Sequence, residues 1–118
     1  MVGIHHLAIG TKKLQEMVDF YSQLPGLTFV EWKYDENGNQ RSGWLKTKEG
    51  TLIMIEKKEN PRGSEALVFS LLDLSEGEKN SLPNSTHVTD HTLYFQDPDG
   101  NKLGYSSFPG PLRDILSV

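Results

Sequence analysis

The second half of this sequence restates the first. Residues 66–74 (Ala-Leu-Val-Phe-Ser-Leu-Leu-Asp-Leu) lie opposite residues 6–14 (His-Leu-Ala-Ile-Gly-Thr-Lys-Lys-Leu) at one constant offset. That offset sets Leu67 against Leu7, Phe69 against Ile9 and Leu74 against Leu14. Residues 99–104 lie opposite residues 49–54 in the same order, at a smaller offset. Two ordered matches point to a duplicated unit, and the unequal offsets make the second copy the shorter one.

Periodicity gives the content of the unit. Residues 2–10 alternate, with Leu7 and Ile9 on one face and Ile4, His6 and Ala8 on the other, which predicts a strand buried on both sides. His5 then points away from His6. Thr11 is the expected N-cap of a helix whose stripe is Leu14, Met17, Val18, Tyr21 and Leu24, stopped by Pro25-Gly26. Strands follow over 27–34, 41–47 and 51–56, with Asn37-Gly38 and Glu49-Gly50 in the turns. The first half therefore reads β-α-β-β-β.

Residues 58–64 are polar and turn-rich, a linker between module one (about 1–57) and module two (about 65–108). In the second module, residues 75–83 are too polar for more than a short helical turn, and a brief strand is expected over 86–88. A hairpin follows, with Thr92 to Gln96 leading into Asp97-Pro98-Asp99-Gly100-Asn101 and Leu103 to Phe108 leading out. The tail, 109–118, carries Leu112, Ile115 and Leu116 at helical spacing. The fold class expected is α+β, one domain of paired β-α-β-β-β modules with the second shortened.

Composition removes several functions. The 118 residues carry a net charge of −4, which argues against a nucleic-acid surface. There is no cysteine, so disulfides, thiolate catalysis and Cys-based zinc sites are excluded. No apolar run reaches the ~18 residues of a membrane span, and the first residues lack a signal-peptide pattern, so a cytoplasmic location away from membranes is expected. No nucleophile motif, phosphate-binding glycine loop or dinucleotide fingerprint occurs.

The chain resembles the vicinal oxygen chelate superfamily: glyoxalase I, extradiol dioxygenases, fosfomycin-modifying transferases and bleomycin resistance proteins. The residues carrying the resemblance are His6-Leu7-Ala8-Ile9, the helix with Leu14 and Phe20-Tyr21, and Leu93 to Leu103 (Leu-Tyr-Phe-Gln-Asp-Pro-Asp-Gly-Asn-Lys-Leu). One departure is Lys13, where the family usually has Asp before the Leu. The resemblance implies curved sheets around a cavity, a homodimer, and in the enzymes a divalent ion held by four side chains from the first and fourth strands of the two modules.

Set against that pattern, His6 occupies the first-strand ligand position. The fourth-strand position falls on Met54, or on Glu56 if the register slides by two residues, roughly 7 Å further along. In module two the corresponding positions are Ala66 and Gly104, and neither can coordinate. His6 and Glu56 alone fall short of the three protein ligands that catalytic sites generally supply. His87 and His91 remain as possible substitutes, with His91 expected at the margin of the core.

Two small residues in place of ligands imply a larger, more apolar pocket. The ligand-contacting residues expected are His6, Trp44, Met54, Ser70, Tyr94 and Gln96, with no catalytic residue and no cofactor. The resemblance then implies a metal-free, small-molecule-binding module of the bleomycin-resistance kind. Two alternatives stay open. One is a lyase, dioxygenase or thiol transferase using Fe, Mn, Ni or Zn on His6, Glu56 and a third ligand. The other is a dimeric structural module without ligand.

Overall fold

A computed structural model of the chain describes residues 4–62 and 66–116. The expected linker's last residues, 63–64, the first two residues of the expected first strand, 2–3, Glu65, and the tail's 117–118 lie outside the described residues. The chain divides into two compact units, each a β-α-β-β-β module with a four-stranded mixed sheet.

The first unit runs β1 (His6–Thr11), α1 (Leu14–Ser22), β2 (Leu27–Tyr34), β3 (Gln40–Thr47) and β4 (Leu52–Lys57). Its sheet order is β1-β4-β3-β2, with β1 parallel to β4 and the other pairs antiparallel. The stripe Leu14, Met17, Val18 and Tyr21 is buried, as its spacing predicts. It packs against β3 and β4, where Leu45, Ile53 and Ile55 are buried and alternate with half-buried or exposed residues. A single helix covers a single face of this sheet.

Two expectations change here. β1 is not buried on both sides: His6, Leu7 and Ala8 are exposed, and burial begins at Ile9. Thr11 is not the helix cap but the buried last residue of β1. Its Oγ1 accepts from the Lys13 N–H at 2.9 Å, and its carbonyl accepts from Lys58 N–H. The N-cap position falls on Lys13, whose side chain makes no capping hydrogen bond, so α1 owes its place to the buried stripe.

The second unit runs β5 (Leu67–Ser70), α2 (Glu76–Lys79), β6 (His87–Val88), β7 (Thr92–Gln96) and β8 (Lys102–Ser106), then a 3-10 turn over Leu112–Asp114. Its sheet order is β5-β8-β7-β6, with β5 parallel to β8. The short helical turn and the brief strand lie where polarity placed them. α2 survives at four residues because Ser75 and Glu78 cap it reciprocally, side chain to backbone, at 3.2 and 2.9 Å. The buried face centres on Tyr105, whose ring stacks on Phe95 and lies against Phe69. The Tyr105 hydroxyl donates to the Pro25 carbonyl, which belongs to this unit.

The duplication is visible in the register. Leu7 pairs with Ile53 and Ala8 with Met54 in one sheet; Leu67 pairs with Leu103 and Val68 with Gly104 in the other. Both sequence offsets are thus reproduced rung for rung.

Three hairpins also share one five-residue turn: Asp35 to Asn39, Thr47 to Thr51 and Asp97 to Asn101. In each, the first residue's backbone N–H donates to the fifth residue's carbonyl, and its own carbonyl accepts from the fourth residue's N–H. The first side chain accepts from the fifth N–H at 2.8–3.0 Å. The fourth residue is glycine with φ between 79 and 98°, a left-handed conformation only glycine adopts cheaply.

Candidate functional site

The face of the first sheet that α1 leaves open carries the expected residues of that module. Ala8 pairs with Met54, and Met54 pairs with Trp44 on its other side. The His6 and Trp44 rings meet edge to face with centroids 5.1 Å apart. The Trp44 indole N–H donates to Ser42 Oγ at 3.1 Å, which fixes the plane of the ring. His6, Trp44 and Met54 therefore form one patch: a flat aromatic wall, a thioether and an imidazole.

Glu56 does not join them. It shares the face, but it pairs with Gly10 while His6 pairs with Leu52. Four residues of register separate the two side chains, about 13 Å along the strands at ~3.3 Å per residue. The Glu56 carboxylate faces Lys58 Nζ at 3.4 Å instead. His6 has a different neighbour: its Nδ1 lies 2.9 Å from Nδ1 of His5. Alternation sets His5 on the opposite side, but His5 precedes β1 and is free of the strand's pleat.

In the second unit the open face holds Ser70, Tyr94 and Gln96. Tyr94 sits across from Gly104, and Gln96 across from Lys102. A Cβ at Gly104 would lie 2.9 Å from the Leu93 carbonyl oxygen, 3.0 Å from Tyr94 Cδ1 and 3.2 Å from Thr92 Cγ2. Gly104 therefore creates no extra space; the tyrosine ring occupies what the missing side chain vacates. Ser70 Oγ is engaged locally, accepting from Leu72 N–H at 3.1 Å.

Two residues flank Tyr94: Lys102, which the sequence did not single out, and His87, expected only as a substitute metal ligand. Lys102 Nζ lies 4.3 Å from the centre of its ring, and the His87 ring runs nearly parallel at 6.0 Å and 18°. The available signal was parity: Lys102 alternates with Gly104, so it shares the face of Tyr94.

Within each unit these donors do not converge on a divalent ion. Ala66 and Gly104 offer nothing, His6 and Glu56 are apart, and His91 is half-buried with Nδ1 bonded to the Gly110 carbonyl. A carbonyl only accepts, so that nitrogen carries the proton. Among the described residues no three His, Asp or Glu side chains converge as an ion site. A separate cleft of about 450 Å³ in the second unit is lined by Val88, His91, Leu112 and Arg113, among others, none of which belongs to the expected contact set. No helix among the described residues is long and apolar enough to cross a membrane.

Residues 3–82 match the family model described as Glyoxalase/Bleomycin resistance protein/Dioxygenase superfamily. No curated protein matches the chain. Among solved structures, a possible glyoxalase from Bacillus cereus is similar with a TM-score of 0.66 at 17% identity, over 90% of this chain and 99% of that one. TnmS3, an antibiotic binding protein from Streptomyces sp. CB03234, gives 0.65 at 17% identity, over 94% and 97%. The fosfomycin resistance protein FosX from Listeria monocytogenes, complexed with Mn(II) and a dihydroxypropylphosphonic acid, gives 0.66 at 14% identity, over 99% of each chain. At these identities the likeness is one of fold.

Proposed function

Because the chain belongs to the glyoxalase/bleomycin resistance protein/dioxygenase superfamily, we propose that it is a small-molecule-binding protein that works without a bound metal. The superfamily holds both kinds of member, so the choice rests on this chain's own residues. The observation carrying it is the closed slot at Gly104. Where the resemblance calls for a metal-binding carboxylate, a backbone carbonyl and the Tyr94 ring stand within 3.0 Å of any Cβ.

In this reading the first sheet offers His6, Trp44 and Met54 as a ligand-contacting patch, and the second offers Ser70, Tyr94 and Gln96. Aromatic and thioether surface with a few polar groups suits an aromatic or amphipathic molecule better than a small polar one. The antibiotic-binding relative lends the reading support by analogy of fold. Self-association belongs to the proposal too, supported by apolar side chains left open to solvent at Val30, Tyr34, Val88 and Phe108.

Metal analysis and ligand screening of protein purified without a His-tag test this. The expected result is substoichiometric Fe, Mn, Ni and Zn, with saturable thermal stabilisation by aromatic natural products that Tyr94→Ala abolishes. A stoichiometric metal removed by His6→Ala would overturn the metal-free reading.

A further inference from the structure

The open face of the second sheet has a sign. Its alternating positions on β5, β7 and β8 are 68 and 70, 92, 94 and 96, and 102, 104 and 106, with His87 on β6 paired to Tyr94. None of these is Asp or Glu, in a protein of net charge −4. Lys102 is exposed and has no carboxylate partner among the described residues; its ammonium lies over the Tyr94 ring instead. The His87 ring is exposed and stacked beside the same tyrosine.

The Tyr94 ring lies against the bare backbone of Gly104. Around it stand one full positive charge, the His87 imidazole, and the Tyr94 phenol and Gln96 amide as hydrogen-bond donors. A cation would meet repulsion from Lys102 and no compensating carboxylate at these strand positions. An anion would find an ammonium free to leave the ring for it and no carboxylate at these strand positions to oppose it.

Resting on the binding role proposed above, we infer that the ligand of this face is an aromatic anion. It is a flat ring system bearing a carboxylate, sulfonate or phosphonate, its ring laid beside Tyr94 and its charge on Lys102.

Three probes sharing one naphthalene body test this by calorimetric titration of the full chain: 2-naphthalenesulfonate, 2-naphthalenemethanol and 2-naphthylmethylammonium. The sulfonate is expected to bind at least about threefold more tightly than the alcohol, the size of one exposed charge interaction. The ammonium is expected to bind most weakly. Lys102→Gln should erase the preference for the sulfonate while leaving the alcohol unchanged, and Lys12→Gln, an equal loss of charge elsewhere, should leave all three unchanged. Equal binding of the three probes, or a preference that survives Lys102→Gln, overturns the inference and leaves the binding role standing. Failure of all three to bind overturns both.

Discussion

The ring of Tyr94 lies over Gly104, its partner across β7 and β8, so closely that Cδ1 stands 3.0 Å from where a Cβ would be. The same pair explains why the position is glycine and why nothing coordinating can project from it. A larger residue would displace an aromatic ring and press on a backbone carbonyl that is held in the ladder.

Gly104→Ala is accordingly expected to destabilise the protein by about 1–3 kcal/mol, the range for forcing a group into filled space. Elsewhere in a strand the same change would be neutral or favourable, because alanine loses less backbone freedom on folding. Urea unfolding of the variant measures it; an unchanged or raised midpoint would show that the tyrosine moves aside freely. Gly104→Glu should be worse still, and added Mn(II) or Zn(II) should not rescue it.

The shared turn predicts a contrast between two aspartates. Asp97 is buried; its Oδ1 accepts from Asp99 N–H and Asn101 N–H, and its Oδ2 accepts from Asn101 Nδ2 at 2.8 Å. Asp35 makes the two backbone bonds in full solvent. Asp97→Ala should cost about 2–4 kcal/mol and Asp35→Ala about 1 or less, since water replaces lost partners only at the exposed site. Equal losses in thermal melts would refute the dependence on burial.

Features spaced by the chain's own period were legible in the sequence. Leu7 against Leu67 and Ile53 against Leu103 gave the repeat before any strand pairing was known, because a sheet register that buries one face must preserve residue spacing. What depends on local geometry was not. Thr11 resembles a helix cap, yet its hydroxyl bonds the second residue on while its backbone is still strand. His5 escapes alternation by standing one residue outside β1. The helical turn expected over 75–83 is there, but its start is fixed by the capping box of Ser75 and Glu78, a spacing the polarity of the segment does not single out. Parity was enough to set Tyr94 on the open face, but its lie over Gly104 depends on which rotamer fills the space, and no sequence pattern encodes that.

Tyr105 predicts an alkaline limit. Its side chain is fully buried, and burial, followed by the nearby Glu78 charge, raises its phenol well above the ordinary value of 10.0. The folded protein therefore holds the proton while the unfolded chain releases it. The stabilising contribution is complete below about pH 10 and is lost progressively as pH rises above that value toward the raised pKa. Tyr105→Phe should flatten this alkaline decline. At pH 7 it should cost about 1–3 kcal/mol, because the Pro25 carbonyl loses its donor. A variant whose stability still fell with the wild-type slope above pH 10 would place the titration on another group.

Trp44 supplies a reporter for the proposed binding role. Its indole is half-buried on the open face beside His6 and Met54. Trp32 is the other tryptophan; it lies at the sheet edge beside Phe29. A ligand on the first sheet's patch should shift or quench Trp44 emission and leave Trp32 nearly unchanged. Trp44→Phe should then lose most of the ligand-induced change, and His6→Ala should weaken binding several-fold, while neither lowers stability by more than about 1 kcal/mol, since neither side chain is fully buried. Were Trp44→Phe to keep the full response, with Trp32→Phe abolishing it, the ligand would lie at the β2 edge and the patch of His6, Trp44 and Met54 would lose its assigned role.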